Sequence, residues 1–236
     1  MKSPTDSIHQ SDPGDEVLRK FRYQHAYGVI LSIGMTTGKL VCKALWCEQH
    51  EDFLAEKEDG LFDAYQIKTR KSELGEWQLN DEAFWKSIGR FVKLDLAYPG
   101  KIQSFKFVSN TQFSNSSAKD REYLSPVKLL TGVERIVRWE DLIGEVKRGF
   151  EWLKDKLAVN HEDLFSVLRH LDLVLGPTDR AFEDELSQRH IPTMAECSSL
   201  NASALRIVRE ALIARIAQAS SLVSEDPTRD WLGLTR

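Results

Sequence analysis

The dipeptide Asp59-Gly60 lies between two runs that suit β-strands, Asp52 to Glu56 and "LFDAYQIKTR" at residues 61–70, and it constrains this chain more than any other feature. Asp-Gly offers the backbone that a tight hairpin needs, so the flanking runs are expected to pair antiparallel. A third run rich in strand formers, "LVCKALWCE", precedes them and predicts a meander. Alternation along the return strand places Ala64, Gln66, Lys68 and Arg70 on one side, with Tyr65 and Ile67 on the other, toward a core. The hairpin sets Asp52 opposite that polar row.

The segments around the hairpin extend the pattern. "EVLRKFRYQHAYGVILSIGM" predicts a helix with Val17, Phe21, Gly28 and Leu31 on one face and Gln24 in the middle of that stripe. Asn80 is the expected N-cap of a second helix, with Asp81 and Glu82 in its first turn. Phe84, Ile88 and Phe91 point inward from it, and Lys86, Arg90 and Lys93 repeat at the same spacing on the opposite face. "IQSFKFVSN" is a fourth strand; a helix joining two strands predicts a crossover and partly parallel pairing. The fold class expected is α/β, a mixed central sheet flanked by helices.

The rest of the chain is more helical. Leu142, Val146, Phe150, Leu153 and Leu157 form one apolar stripe, and Leu205, Val208, Leu212 and Ile216 form another, which core packing or self-association would bury. "HEDLFSVLRHLDLVLG" reads either as helix throughout or as helix then short strand. The division expected is a disordered tail at residues 1–15, an α/β core at 16–135 and a mainly helical region at 136–236.

Charge is distributed unevenly. Glu48 to Asp59 holds six acids and one lysine, whereas Gln66 to Lys106 carries eight Lys/Arg against five Asp/Glu. Acids packed that closely must be solvated, paired or holding a cation. The net charge of −4 argues against coating nucleic acid by charge alone. The three cysteines, Cys42, Cys47 and Cys197, form no CxxC pair and fit a reducing cytoplasm. No apolar run approaches the roughly 18 to 20 residues that span a bilayer, and the first residues lack the apolar segment of a signal peptide.

A carboxylate from Asp52, an amide oxygen from Gln66 and the ammonium of Lys68 on one hairpin suit phosphodiester hydrolysis. Asp52 and Gln66, or the Ile67 carbonyl, would ligate Mg²⁺, and Lys68 would steady the attacking hydroxide or the transition state.

"EQHED" followed by "DGLFDAYQIKTR" resembles the signature of the PD-(D/E)xK restriction-endonuclease-like superfamily in its QxK variant. "FRYQHAYGVILSI", the hairpin and "FKFVSN" together resemble the double-stranded-DNA endonuclease domain of anti-phage effectors, those of CBASS defence and of Lamassu systems, over roughly residues 16 to 115. The resemblance implies a restriction-endonuclease-like sheet, with Asp52 as metal ligand, Gln66 at the variable position and Lys68 as catalytic lysine. Glu48 and Glu51 both lie near the place of an upstream carboxylate ligand, Glu51 being preferred, and Gln24 matches a glutamine that approaches the metal.

The function then expected is a Mg²⁺- or Mn²⁺-dependent endonuclease on double-stranded DNA, with Arg70, Lys71, Lys86, Arg90 and Lys93 as DNA contacts. The alternative is a non-catalytic DNA-binding or assembly subunit with a degenerate site. No second, ligand-sensing domain is expected after the helical region, which favours regulation by self-association or by partner subunits such as an SMC-like protein, or else a truncated chain. The helical region would serve regulation, oligomerisation or DNA contact.

Overall fold

The structure, a computed structural model, describes residues 13–47, 51–115, 124–179 and 181–221. Twelve of the fifteen residues expected as a tail, and Glu48, lie outside them; helix α1, Pro13–Thr36, already includes the last three. The meander follows as β1 (Ala44–Cys47), β2 (Phe53–Glu56) and β3 (Phe62–Lys68), paired antiparallel in sequence order. At the β2–β3 turn Gly60 adopts φ 78° and its N–H reaches Lys57 O, while the Asp59 carboxylate accepts from Leu61 N. This is the left-handed position for which glycine is suited.

Helix α2 (Glu82–Ala97) then crosses over to β4 (Ile102–Ser109), which runs parallel to β3. Its N-cap is Asp81 rather than Asn80, and the Asp81 carboxylate makes no cap bond, being taken by Gln78 N and by Arg70. Phe84, Ile88 and Phe91 are buried as expected. After α3 (Pro126–Glu134), α4 (Gly144–Leu157) and α5 (His161–Arg169), the ambiguous stretch resolves into helix then strand. β5 (Leu171–Leu175) joins β4 in parallel and completes a five-stranded sheet in the order β1-β2-β3-β4-β5.

Both faces of the sheet are covered, as parallel pairing requires. Tyr65, Ile67, Phe53 and Val108 pack with α1, a short helix α6 (Phe182–Glu185) and α7 (Ala202–Ser220). Leu54, Ala64, Phe105 and Phe107 pack with α2 to α5. The expected boundary at residue 135 is therefore not found: β5 belongs to the central sheet, and α7 shares a core with α1. Phe150 and Leu153 of the first expected stripe and Ile216 of the second are consumed in these two cores, with Leu205, Val208 and Leu212 packed against one of them, so packing accounts for the stripes.

The first helix departs from its expected stripe. Val17 and Phe21 are about half exposed, and the buried set is Tyr23, Ala26, Tyr27, Val29, Leu31, Ile33 and Met35. Its second half is enclosed on several sides by sheet and α7, so no single stripe describes it. Its first half projects beyond the sheet and forms one wall of a cleft.

Candidate active site

Asp52 immediately precedes β2, and the register Phe53↔Tyr65 brings it beside Gln66 on β3. Asp52 Oδ2 accepts from Gln66 Nε2 at 2.5 Å and from the Ile67 main-chain N–H at 2.6 Å, and Lys68 Nζ stands 4.0 Å from the same oxygen. The carboxylate and the amide are buried, at 6% and 0% exposure, while the lysine reaches solvent. Such hydrogen bonds and a nearby cation hold Asp52 in one orientation.

Gln24, Val17, Lys20 and Phe21 of α1 meet Asp52, Ile67, Lys68, Thr69 and Ala83 around an open cleft of about 400 Å³. The structure thus brings together Asp52, Gln66, Lys68 and Gln24, three from the hairpin and one from the helix that lies across it. Gly28 permits that crossing: a Cβ there would come within 2.6 Å of the Phe53 ring.

The fit to a cation is tested by Gln66. Its Oε1 is buried and has no hydrogen-bond partner among the described residues, a state that costs about 1–3 kcal/mol. An orphaned oxygen beside a carboxylate suits Mg²⁺, which takes one or two protein carboxylates and completes its shell with water and phosphate oxygens. No group of three or more His, Cys, Asp or Glu side chains assembles among the described residues, where Asp52 and Gln66 are the pair that would hold the ion, and the expected ligand Glu48 lies outside those residues.

The remaining expected residues divide. Glu51 is 2% exposed and turns toward α2, where its Oε2 is 3.4 Å from Arg90 Nη2; it takes no part in the cleft wall with Asp52. The chain bends at Glu51 and Asp52, and the two carboxylates have different neighbours, Arg90 for Glu51 and the Ile67 N–H for Asp52. Arg90 accordingly has a carboxylate partner as well as an exposed position.

Arg70 is engaged within the protein while also lining a recess beside the cleft. Its guanidinium donates to Gly75 O and Leu74 O, pairs with Asp81 at 2.8 Å and lies 4.8 Å over the Trp77 ring. It ties down the loop between β3 and α2. Lys71, Lys86 and Lys93 are exposed; Lys71 pairs with Glu16, and Lys86 with Glu82 one turn away.

Sequence reasoning missed Lys20, Thr69 and Ala83 in the cleft wall. Lys20 had a signal, since it lies four residues before Gln24 and one helical turn brings both to one face. It also missed Asn110, the last residue of "FKFVSN". Asn110 Oδ1 accepts from Arg70 N and Nδ2 donates to Arg70 O and to Asp179, fastening the chain two residues beyond Lys68.

A helix, an antiparallel meander, a crossover helix and a parallel strand, with a carboxylate, an amide and a lysine at the strand ends, define an α/β nuclease-like fold. More particularly, the chain belongs to the Cap4 double-stranded-DNA endonuclease domain family, whose model matches residues 12–220. The match thus extends through β5, a strand of the central sheet, and α7, which packs on one of its faces. Among solved structures, the Acinetobacter baumannii Cap4 SAVED/CARF-domain receptor with the cyclic trinucleotide 3′3′3′-cAAA is similar at a TM-score of 0.52 and 16% identity, over 91% of this chain and 42% of that one. The Moraxella osloensis Cap4 receptor gives 0.47 and 19%, over 85% and 43%. The chain therefore spans less than half the length of these structures. No curated protein sequence matches it significantly.

Proposed function

We propose that this chain is a metal-dependent endonuclease that hydrolyses phosphodiester bonds of double-stranded DNA in anti-phage defence, restrained by self-association or by partner subunits such as an SMC-like protein. The observation that carries the reading is the meeting of Asp52 and Lys68 in the wall of an open cleft, with the buried Gln66 amide bonded to Asp52 behind it.

Bound by Asp52 and Gln66, Mg²⁺ or Mn²⁺ would polarise the phosphoryl group and lower the pKa of an attacking water. The chain's own groups supply the rest. The Ile67 N–H and the Gln66 amide hold the Asp52 carboxylate in place before substrate arrives. Lys68 presents a fixed positive charge at the cleft surface, where it stabilises negative charge building on the phosphoryl oxygens. Gln24 approaches from α1 and offers an amide to orient the attacking water or a phosphate oxygen.

The test is cleavage of plasmid DNA with Mg²⁺ by the wild type, Asp52→Asn and Lys68→Ala, with circular dichroism to check folding. Each substitution is expected to lower the rate by about 100-fold or more. A folded Lys68→Ala protein that cuts at the wild-type rate overturns the mechanism. Salt-dependent DNA binding without cleavage by the wild type would mark a non-catalytic subunit instead.

A further inference from the structure

The cleft does not end at the candidate active site. Lys20, Thr69 and Ala83 also line a second recess of about 400 Å³, whose other walls include Glu16, Arg19, Lys71 and Trp77. Within it the two oxygens of Glu16 are divided between two ammonium groups: Oε1 is 2.9 Å from Lys20 Nζ and Oε2 is 2.9 Å from Lys71 Nζ. The two lysines are exposed and the Glu16 side chain is about a third exposed, so a polyanion can reach them. Lys71 is three residues beyond Lys68, at most about 10 Å of chain, so the pair lies within a few nucleotides of the reacting position.

Two lysines bridged by the two oxygens of one anion match the two non-bridging oxygens of a phosphodiester. We propose that Lys20 and Lys71 form the seat for a DNA phosphate beside the scissile one, and that the Glu16 carboxylate occupies this seat in the DNA-free protein. Its two lysine partners hold the Glu16 carboxyl at about 2, so it stays charged at any working pH and competes as an anion for the two lysines. Exposed ion pairs are worth little in water, so the exchange meets small resistance. The proposal rests on the endonuclease reading only for DNA as the molecule that enters the cleft.

The experiment measures binding of a fluorescent DNA duplex without metal, over a salt series. It compares the wild type, Glu16→Gln, the Lys20→Gln/Lys71→Gln pair and the triple variant. Glu16→Gln is expected to bind up to about fivefold tighter, the scale of one surface ion-pair interaction. The lysine pair weakens binding and reduces the slope of log affinity against log salt by about one. In the triple variant the gain from Glu16→Gln disappears.

Equal binding by Glu16→Gln and wild type overturns the seat, as does an equal gain with and without the lysines, which would be a general charge effect. A protein that binds as expected but does not cut keeps the seat and loses the endonuclease reading. One that cuts but is indifferent to Glu16→Gln does the reverse.

Discussion

Gly28 of α1 rests directly on the ring of Phe53: a Cβ at position 28 would stand 2.6 Å from Phe53 Cζ and 2.9 Å from Ile216 Cγ2. Phe53 follows Asp52 in the chain, and Gln24 lies one helical turn before Gly28. This single close approach sets the height of the helix over the site. It also wedges α1 between β2 and α7, the two elements that supply those atoms.

Gly28→Ala is therefore expected to destabilise the protein even though alanine is the better helix former by about 1 kcal/mol. Overpacking a filled core costs about 1–3 kcal/mol, and two side chains must give way here. Urea denaturation should show a lower midpoint with an unchanged m-value, and Gly28→Val a larger drop.

Gln66→Glu should convert the site into one whose stability depends on divalent cations. In the wild type the Gln66 amide donates to Asp52; a glutamate there loses the donor and sets two carboxylates together. A loss of about 1–3 kcal/mol is expected without metal, and Mg²⁺ should restore much of it by binding the folded state. Thermal unfolding with and without Mg²⁺ measures both, and equal melting temperatures in the two conditions would speak against a cation beside Asp52.

Asn110→Ala removes the side chain that pairs with both main-chain groups of Arg70. With the site 9% exposed, the freed backbone groups are poorly hydrated, and a loss of about 1–3 kcal/mol is expected. DNA cleavage should fall by more than the folded fraction does, because the strand end carrying Lys68 loses its fastening. Asn110→Asp keeps the acceptor for Arg70 N but loses the donor to Arg70 O and sets a carboxylate against Asp179, so it should not recover the stability.

His25 predicts a pH dependence of stability. Burial on α1 pushes its pKa below the ordinary imidazole value. The unfolded chain therefore binds the proton more readily, and stability rises with pH through this range. The contribution is present in full above about pH 6.5 and is lost as pH falls toward the folded value. Urea midpoints between pH 7 and pH 5.5 should decline in the wild type and decline less in His25→Gln.

The hairpin, the crossover helix and the inward row Phe84, Ile88 and Phe91 were legible because each depends on neighbours within a few residues. Turn chemistry at Asp59-Gly60 and the period of two along β3 suffice to align Asp52 with Gln66 and Lys68. The fate of "HLDLVLG" was not legible in this way. Leu171 to Leu175 became a strand only because β4 offered an open parallel edge, more than sixty residues earlier in the chain. Arg70 shows the same limit within the site: its charge suggested a phosphate contact, and Trp77, Asp81 and the carbonyls of Leu74 and Gly75 claimed it first.

By itself, then, the sequence determined the hairpin and the identity of the groups that alternate along it, since backbone sterics and a two-residue repeat act locally. Only the tertiary structure decided that Gln24 and Asp52 line one cleft, that Glu51 turns to Arg90, that Glu16 bridges Lys20 and Lys71, and that β5 joins the sheet whose one face α7 covers. Those outcomes depend on which apolar faces bury each other across long stretches of chain, and burial is a property of the packed whole.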